Sequence, residues 1–373
     1  MIQLLIILVI FVLVFFLQRA FYERFWDEDL DVRIRFLTPE IPEGEEGRLQ
    51  IAIENRKKLP LSMLMVKFQT DRSLEFEKSK GSVTTDQFYH NDIFQVSGGE
   101  RVTRTLRFYG RKRGYYKINN IDLTAYDLFM FNDFHASFQP DESMYVLPMP
   151  LESREFQFIL QELNGELLTR RNLYEDPFEL RGIREYQPYD NMRSINWKAT
   201  AKTGRFMVNQ RNYTAPKTVR IYMNLEDNNI LKKTDSVEDC IRIGAGLAKN
   251  LIDQGIKVSF YCNSPDIQTG NPMMCPAQKG MNQLSTILRS LARLDTQKEA
   301  LPFEKLFRKK ILNEQENTYT CFISPNRYDD FLEILQEFSL QNRGFSWFSP
   351  AQERKNIQDV PYVLRQRIKF IRV

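Results

Sequence analysis

Histidine is nearly missing from this chain. Only His90 and His135 occur among 373 residues, which removes most ways of building a histidine-dependent catalytic site or a multi-histidine metal centre. Cysteine is also scarce. Cys240, Cys262, Cys275 and Cys321 form no C-x-x-C pair, so neither a disulfide scaffold nor a structural zinc site is expected. A strong excess of one charge is lacking too. The 52 basic and 48 acidic residues leave a net charge of +4, too mild for a dedicated nucleic-acid binder. Nucleophile-elbow, zinc-protease and phosphate-loop motifs are absent, and with them the common routes to an enzyme. What is present is an ordinary globular balance, 27% charged and 42% hydrophobic, which excludes a wholly disordered chain. The length allows two or three domains.

One long apolar run stands out. Residues 2–17 read IQLLIILVIFVLVFFL, with Gln3 the only polar residue and Arg19 the first charge. Continued through Tyr22, the run reaches the roughly 20 residues a membrane span needs. Phe21, Tyr22, Phe25 and Trp26 resemble an interfacial aromatic belt. A cleaved signal peptide predicts a basic flank and a small-residue cleavage site, and QRAFYERFW offers no such site. Residues 1–26 are therefore expected to form a single-pass anchor that contacts lipid through residues 2–26. Arg19 and Arg24 follow the span, so the positive-inside rule places the soluble part in the cytoplasm. Scattered cysteines agree with a reducing compartment.

Residues 30–150 hold runs with a two-residue period, LDVRIRFL, RLQIAIEN, LSMLMVKFQ, RVTRTLRFYG and YYKINNIDLTAYD. Period two implies strands with one face in a core. Turn signals at Pro39, Pro42–Gly44, Lys58–Pro60 and Gly98–Gly99 separate them, which suggests an antiparallel β-sandwich. GRKRGYY reads as a solvated hairpin, with a lipid contact as the rival reading. From residue 217 the pattern alternates. TVRIYMN, KVSFYC, TYTCFIS and FSWFS read as strands. SVEDCIRIGAGLAKNLIDQG, MNQLSTILRSLARL and YDDFLEILQEFSLQN read as helices. Such alternation implies a doubly wound parallel sheet over residues 217–373. In that architecture ligands sit beyond the carboxyl ends of strands, here the loops after TVRIYM and TCFIS.

The connecting segment, residues 151–216, carries the densest motif. Between Arg181 and Lys217 there are eight basic residues against Glu185 and Asp190. A helix starting at Asp190 is expected, with Asp190 as its N-cap and Gly204 as its stop. Arg193 then falls within reach of Asp190, and Arg193, Trp197 and Ala201 share one face. Trp197 is read as a core residue rather than a ligand platform. Glu185 and Asp190 are the best carboxylate pair for chemistry, but the adjacent arginines favour a structural role.

The pattern R-x-Y-x-P-x-D-x-x-R-x-I-x-W-K-A-x-A, formed by Arg184, Tyr186, Pro188, Asp190, Arg193, Ile195, Trp197, Lys198, Ala199 and Ala201, resembles the signature of the bacterial domain of unknown function 58 family. GRKRGYYKI and YDLFMF are similar to two further blocks of that family. The resemblance implies an N-terminal membrane segment, a β-rich domain, the signature, and a C-terminal domain of von Willebrand factor type A-like fold. Three departures accompany it. Tyr189 stands where the family usually has glycine before the signature aspartate. One span is found where the family commonly has two. The loop Asn224, Leu225, Glu226, Asp227, Asn228 and the later Pro325 replace the acidic D-x-S-x-S loop and aspartate of metal-binding type A domains. No metal or cofactor is therefore expected, although Asn224, Glu226 and Asp227 carry oxygens suited to a hard cation.

The leading expectation is a membrane-anchored interaction or assembly factor rather than an enzyme. The resemblance implies a MoxR-type AAA+ ATPase as partner. The alternative is an envelope-facing binding module for carbohydrate or peptide.

Overall fold

The computed structural model describes residues 2–77, 83–84, 87–171, 175–213, 218–227, 234–313, 318–341, 344–351 and 360–373. The chain divides into two compact units, Met1–Met149 and Pro150–Val373.

In the first unit α1 (Ile2–Phe25) is followed by β1 (Leu30–Phe36), β2 (Glu40–Pro42), β3 (Glu46–Asn55), β4 (Leu61–Asp71), β5 (Leu74–Phe76), β6 (Val83–Thr84) and β7 (Gln87–Val96). Then come β8 (Arg101–Gly110), β9 (Gly114–Lys117), β10 (Ile121–Tyr126), β11 (Asp133–Phe138) and β12 (Ser143–Leu147). Two antiparallel sheets, ordered β1-β3-β8-β5 and β11-β10-β4-β7-β6, and a small sheet β2-β12-β9 make up the fold. Alternation supplies their common core. Leu49, Ile51 and Ile53 of β3 and Leu64, Val66 and Phe68 of β4 point into one cluster, as period-two patterning requires. GRKRGYY is not a hairpin. β8 and β9 belong to different sheets, and the segment crosses between them with Arg113 buried and Tyr116 Oη donating to the Lys112 carbonyl at 2.8 Å.

The last turns of α1 belong to this unit. Tyr22 and Trp26 are buried in the β core. Tyr22 Oη donates to the Pro60 carbonyl at 2.8 Å, and Trp26 stacks on Phe134. Gln3–Phe25 is one helix long and apolar enough to cross a membrane.

The second unit opens with α2 (Arg154–Arg171), β13 (Glu175–Glu185), a 3-10 turn (Met192–Ser194), α3 (Trp197–Thr203) and β14 (Met207–Tyr213). It continues with β15 (Thr218–Met223), α4 (Thr234–Asp253), β16 (Lys257–Pro265), β17 (Pro272–Gln278), α5 (Met281–Ala292) and α6 (Phe303–Leu312). β18 (Thr318–Ile323), α7 (Asp329–Leu340), β19 (Phe345–Pro350), α8 (Tyr362–Arg365) and β20 (Ile368–Ile371) complete it. Residues 151–216 are more than a connection. Phe156, Ile159, Leu160, Leu163 and Leu167 of α2 bury one helical stripe in the core of the α/β sheet.

That sheet has the order β17-β16-β15-β18-β19-β20. β15, β16, β18, β19 and β20 run parallel to their neighbours and β17 is antiparallel. Renumbered within the sheet the order is 3-2-1-4-5-6, the doubly wound arrangement, whose direction reverses between the first and fourth strands. Both faces are covered. Val219, Ile221 and Met223 of β15 join the core beneath α2, α4 and α5, while Tyr222 and Phe322 join the one beneath α6, α7 and α8.

Candidate functional site

The signature forms a two-stranded hairpin, β13 with β14, whose loop carries the 3-10 turn and α3. Its bend is held by charge. Arg184 grips Asp190 through two parallel hydrogen bonds, Nη1 to Oδ2 at 2.6 Å and Nη2 to Oδ1 at 2.5 Å. The Gln187 amide also donates to Asp190 Oδ2 at 2.8 Å. The Arg184 guanidinium holds the Asp190 carboxyl below its ordinary range. Fork-to-fork pairing of this kind fixes geometry as well as charge.

The expected helix from Asp190 is not there. Asn191 caps the 3-10 turn, its Oδ1 accepting from the Arg193 amide at 3.1 Å. Ile195 is extended, and a second cap, Asn196, starts α3 by accepting from the Ala199 amide at 3.0 Å. Asp190 is thus spent on Arg184 rather than on a helix or on Arg193, and Arg193 does not share a helix with Trp197. Gly204 ends α3 in the left-handed region at φ 70°, a conformation glycine adopts without cost. Tyr189 is not among the positive-φ residues, so this turn needs no glycine before the aspartate.

Burial sorts the signature residues. Ile195 is buried and bridges Val208, which closes the loop against β14. Asn196 adds a side-chain bond to Asn209 at 2.8 Å. Trp197 lies on the surface, 66% exposed, and the core role expected of it is wrong. Its indole meets the Phe206 ring edge-on, at 6.5 Å between centroids. Tyr189, Met192 and Phe206 are also exposed. Tyr186 is half-buried beside Phe206, and the Arg184 guanidinium lies 6.0 Å from the Tyr189 ring. Pro188, Arg193, Lys198 and Ala201 are exposed and Ala199 half-buried. Arg205 pairs with Glu185 at 2.7 Å, so Glu185 and Asp190 hold separate arginines and make no acid–base pair. The side chains of Arg181 and Arg211, and Lys217 entirely, lie outside the described residues. The segment thus exposes Tyr189, Trp197 and Phe206 together with Arg193, Lys198 and Lys202, and tryptophan, tyrosine and arginine are the residue types enriched where binding energy concentrates at protein interfaces. Asn191, Asn196 and Met192 were missed. The two asparagines were legible as cap residues standing just before short helical runs.

The reversal point of the α/β sheet is filled by amides. Asn224, after β15, and Asn263, near the end of β16, are both fully buried. Asn263 Nδ2 donates to Asn224 Oδ1 at 2.9 Å and to the Leu301 carbonyl at 2.8 Å, while its Oδ1 accepts from the Leu225 amide at 2.8 Å. Asn224 Oδ1 also takes the Glu226 amide at 3.0 Å. After β18, Ser324 Oγ donates to the Asn326 carbonyl at 2.9 Å, and Asn326 Nδ2 donates to the Glu226 carbonyl. The Glu226 carboxyl accepts the Phe303 amide, and burial pushes it above its ordinary range. The Asn224 side-chain oxygen is thus committed to N–H donors and the Glu226 carboxyl accepts one, while Asn228 of the same loop lies outside the described residues. Among the described residues no group of three or more His, Cys, Asp or Glu side chains is arranged to hold a metal. The residues of this end do not fit the metal centre of type A domains.

Residues 182–308 match the family model described as protein of unknown function DUF58. The DUF58 match begins in β13 and ends in α6. It supports that family for the hairpin and the first half of the sheet, and it covers less than half of the chain. No curated protein matches the sequence. Among solved structures, the CARDB domain of the PF1109 protein from Pyrococcus furiosus is 14% identical, covering 32% of this chain and 90% of that one, with a TM-score of 0.21. A non-cellulosomal cohesin from Archaeoglobus fulgidus is 15% identical, covering 35% and 97%, with a TM-score of 0.20. The sporulation control protein Spo0M from Bacillus subtilis is 13% identical, covering 43% and 58%, with a TM-score of 0.19. Overlap this low carries no argument.

Proposed function

We propose that the chain is a membrane-anchored protein-interaction factor that docks an acidic partner on its signature hairpin. The observation that carries this reading is the exposed set Tyr189, Met192, Trp197 and Phe206 beside Arg193, Lys198 and Lys202. Contiguous exposed apolar side chains rimmed by charge mark interaction sites, and a cationic rim speeds and orients docking to an anionic surface. The 3-2-1-4-5-6 sheet with its antiparallel edge supports a von Willebrand factor type A-like domain behind the hairpin, one without the metal chemistry of that fold. Burial of Tyr22 and Trp26 in the β core supports an uncleaved anchor, because a removed leader would leave that core open. Arg19 and Arg24 favour a cytoplasmic soluble part. The partner in this reading is a MoxR-type AAA+ ATPase.

The test is co-purification from solubilised membranes with nucleotide present, at low and high salt. The full chain recovers the ATPase at low salt and loses it at high salt, and Trp197→Ala loses it at both. Equal recovery by the wild-type chain and Trp197→Ala would place the contact elsewhere. No recovery by the wild-type chain would remove the ATPase from the reading.

A further inference from the structure

The block YDLFMF has no part in the reading above. It forms the tight loop between β10 and β11, and it presents four consecutive exposed apolar residues: Leu128, Phe129, Met130 and Phe131. The loop packs along α1. Phe129 lies 6.2 Å from Phe11 and 6.0 Å from Phe15, and Phe131 lies 5.8 Å from Phe15, centroid to centroid. Even with these contacts Phe131 remains 77% exposed.

The base of the loop is polar, and it meets α1 where the helix turns polar. Gln18 Nε2 donates to Asp127 Oδ2 at 3.0 Å. Asn132 Nδ2 donates to the same oxygen at 2.7 Å. Gln18 is the last residue before Arg19, so this cluster marks a polar line across helix and loop together. Phe15 lies three residues below that line and Phe11 seven, which at 1.5 Å per residue is about 5 and 10 Å. Apolar segments resting in the boundary between headgroups and acyl chains reach this depth. Unpaired amides oppose such a position, and two of the loop's four fold back on its own aspartate. The Met130 amide donates to the Asp127 carbonyl at 3.1 Å, and the Phe131 amide to Asp127 Oδ1 at 3.0 Å.

We infer that Leu128–Phe131 is a second membrane contact, a loop that enters the bilayer beside α1 and sets the β unit against the lipid surface. The inference rests on α1 spanning a membrane. Its occupant is lipid because the loop continues the face of a helix that has no ionisable side chain between Ile2 and Gln18. A protein partner would have to displace lipid from both.

The experiment places a nitroxide label at one site at a time in the full chain reconstituted in phosphatidylcholine–phosphatidylglycerol vesicles. The sites are Phe131→Cys, Val12→Cys in the span and Lys112→Cys on the exposed β surface. The four native cysteines are buried, and unsubstituted chain reports their background. Collision with oxygen and with a water-soluble nickel chelate is then measured. The label at 131 is expected to follow the one at 12, with oxygen collisions exceeding nickel collisions by fivefold or more, while the label at 112 reverses the ratio. A label at 131 that behaves like 112, with 12 in lipid, overturns the loop contact and leaves the span intact. A label at 131 shielded from both reagents means that protein covers the tip, and also overturns it. A water-exposed label at 12 removes the span and the inference with it.

Discussion

Replacing Asn263 by alanine removes the centre of the amide network at the sheet's reversal point. The Leu225 amide and the Leu301 carbonyl lose their partner, whereas Asn224 Oδ1 keeps the Glu226 amide. Each buried main-chain group left unpaired costs about 1–3 kcal/mol, so the variant is expected to lose about 3 kcal/mol. For a unit of this size that is a fall of roughly 6–12 °C in the melting temperature. The assay is thermal unfolding of the full chain in detergent, followed by near-ultraviolet circular dichroism. Asn263→Asp separates hydrogen bonding from packing. Its protonated carboxyl keeps the acceptor for Leu225 and one donor, while its ionised form faces two oxygens in a buried site. Burial raises its folded pKa above the unfolded value near 3.9. The variant therefore binds more protons folded than unfolded, and its stability falls as pH rises through that interval. Relative to the wild-type chain it should be closer at pH 4 than at pH 7.5. An alanine variant within 1 kcal/mol of wild type, with an aspartate variant indifferent to pH, would refute the network's role.

Trp197→Ala should cost little stability. About a third of a side chain that buries 150–250 Å² when covered gives at most about 1–2 kcal/mol, against roughly 3–5 for a buried aromatic; unfolding and partner recovery, measured side by side, should separate. The Arg184–Asp190 pair is intact above the unfolded carboxyl value near 3.9 and lost as pH falls through the depressed folded value. Protection of the Gln187 amide from hydrogen exchange should follow it, and Arg184→Gln should move that loss to higher pH. A methyl group at Gly246 of α4 would stand 2.8 Å from the Leu151 carbonyl and 2.7 Å from the Phe156 ring, so Gly246→Ala should lower the urea midpoint by an amount equivalent to about 1–3 kcal/mol. Millimolar magnesium should leave thermal unfolding unmoved, since a saturable rise would report binding linked to folding.

The central strands of the α/β sheet are legible in the sequence; its edge strand β17 and the preceding helix α2 are less so. Buried strands such as TVRIYM and TYTCFI declare themselves because both their faces meet helices and all their residues but Arg220 are apolar or β-branched. β17, reading PMMCPAQ, was missed because an edge strand buries only alternate residues and tolerates two prolines. α2 reads as connection when weight goes to the signature beyond it, although Phe156, Ile159, Leu160, Leu163 and Leu167 recur at helical spacing. The signature was found as a pattern, yet its geometry was misread. Asp190 looked like an N-cap because it precedes helical spacing. Nothing local reveals that Arg184, across the bend, takes both its oxygens. Trp197 was placed in a core on the average behaviour of tryptophan, a prior that fails on a hairpin with no second layer above it.

That thinness has a consequence of its own. A two-stranded hairpin is marginal by itself, and among its described side chains this one buries Ile195 and Val208. Its order comes from strand pairing, two ion pairs and two asparagine caps, while the six-stranded sheet is covered on both faces. Opening the hairpin therefore requires far less free energy than unfolding the unit. Its amides should exchange with solvent first, through a local fluctuation that leaves the six-stranded sheet intact. A ligand that closes over such an element pays for its ordering and then reports itself as slowed exchange, even where no atom of the sheet moves.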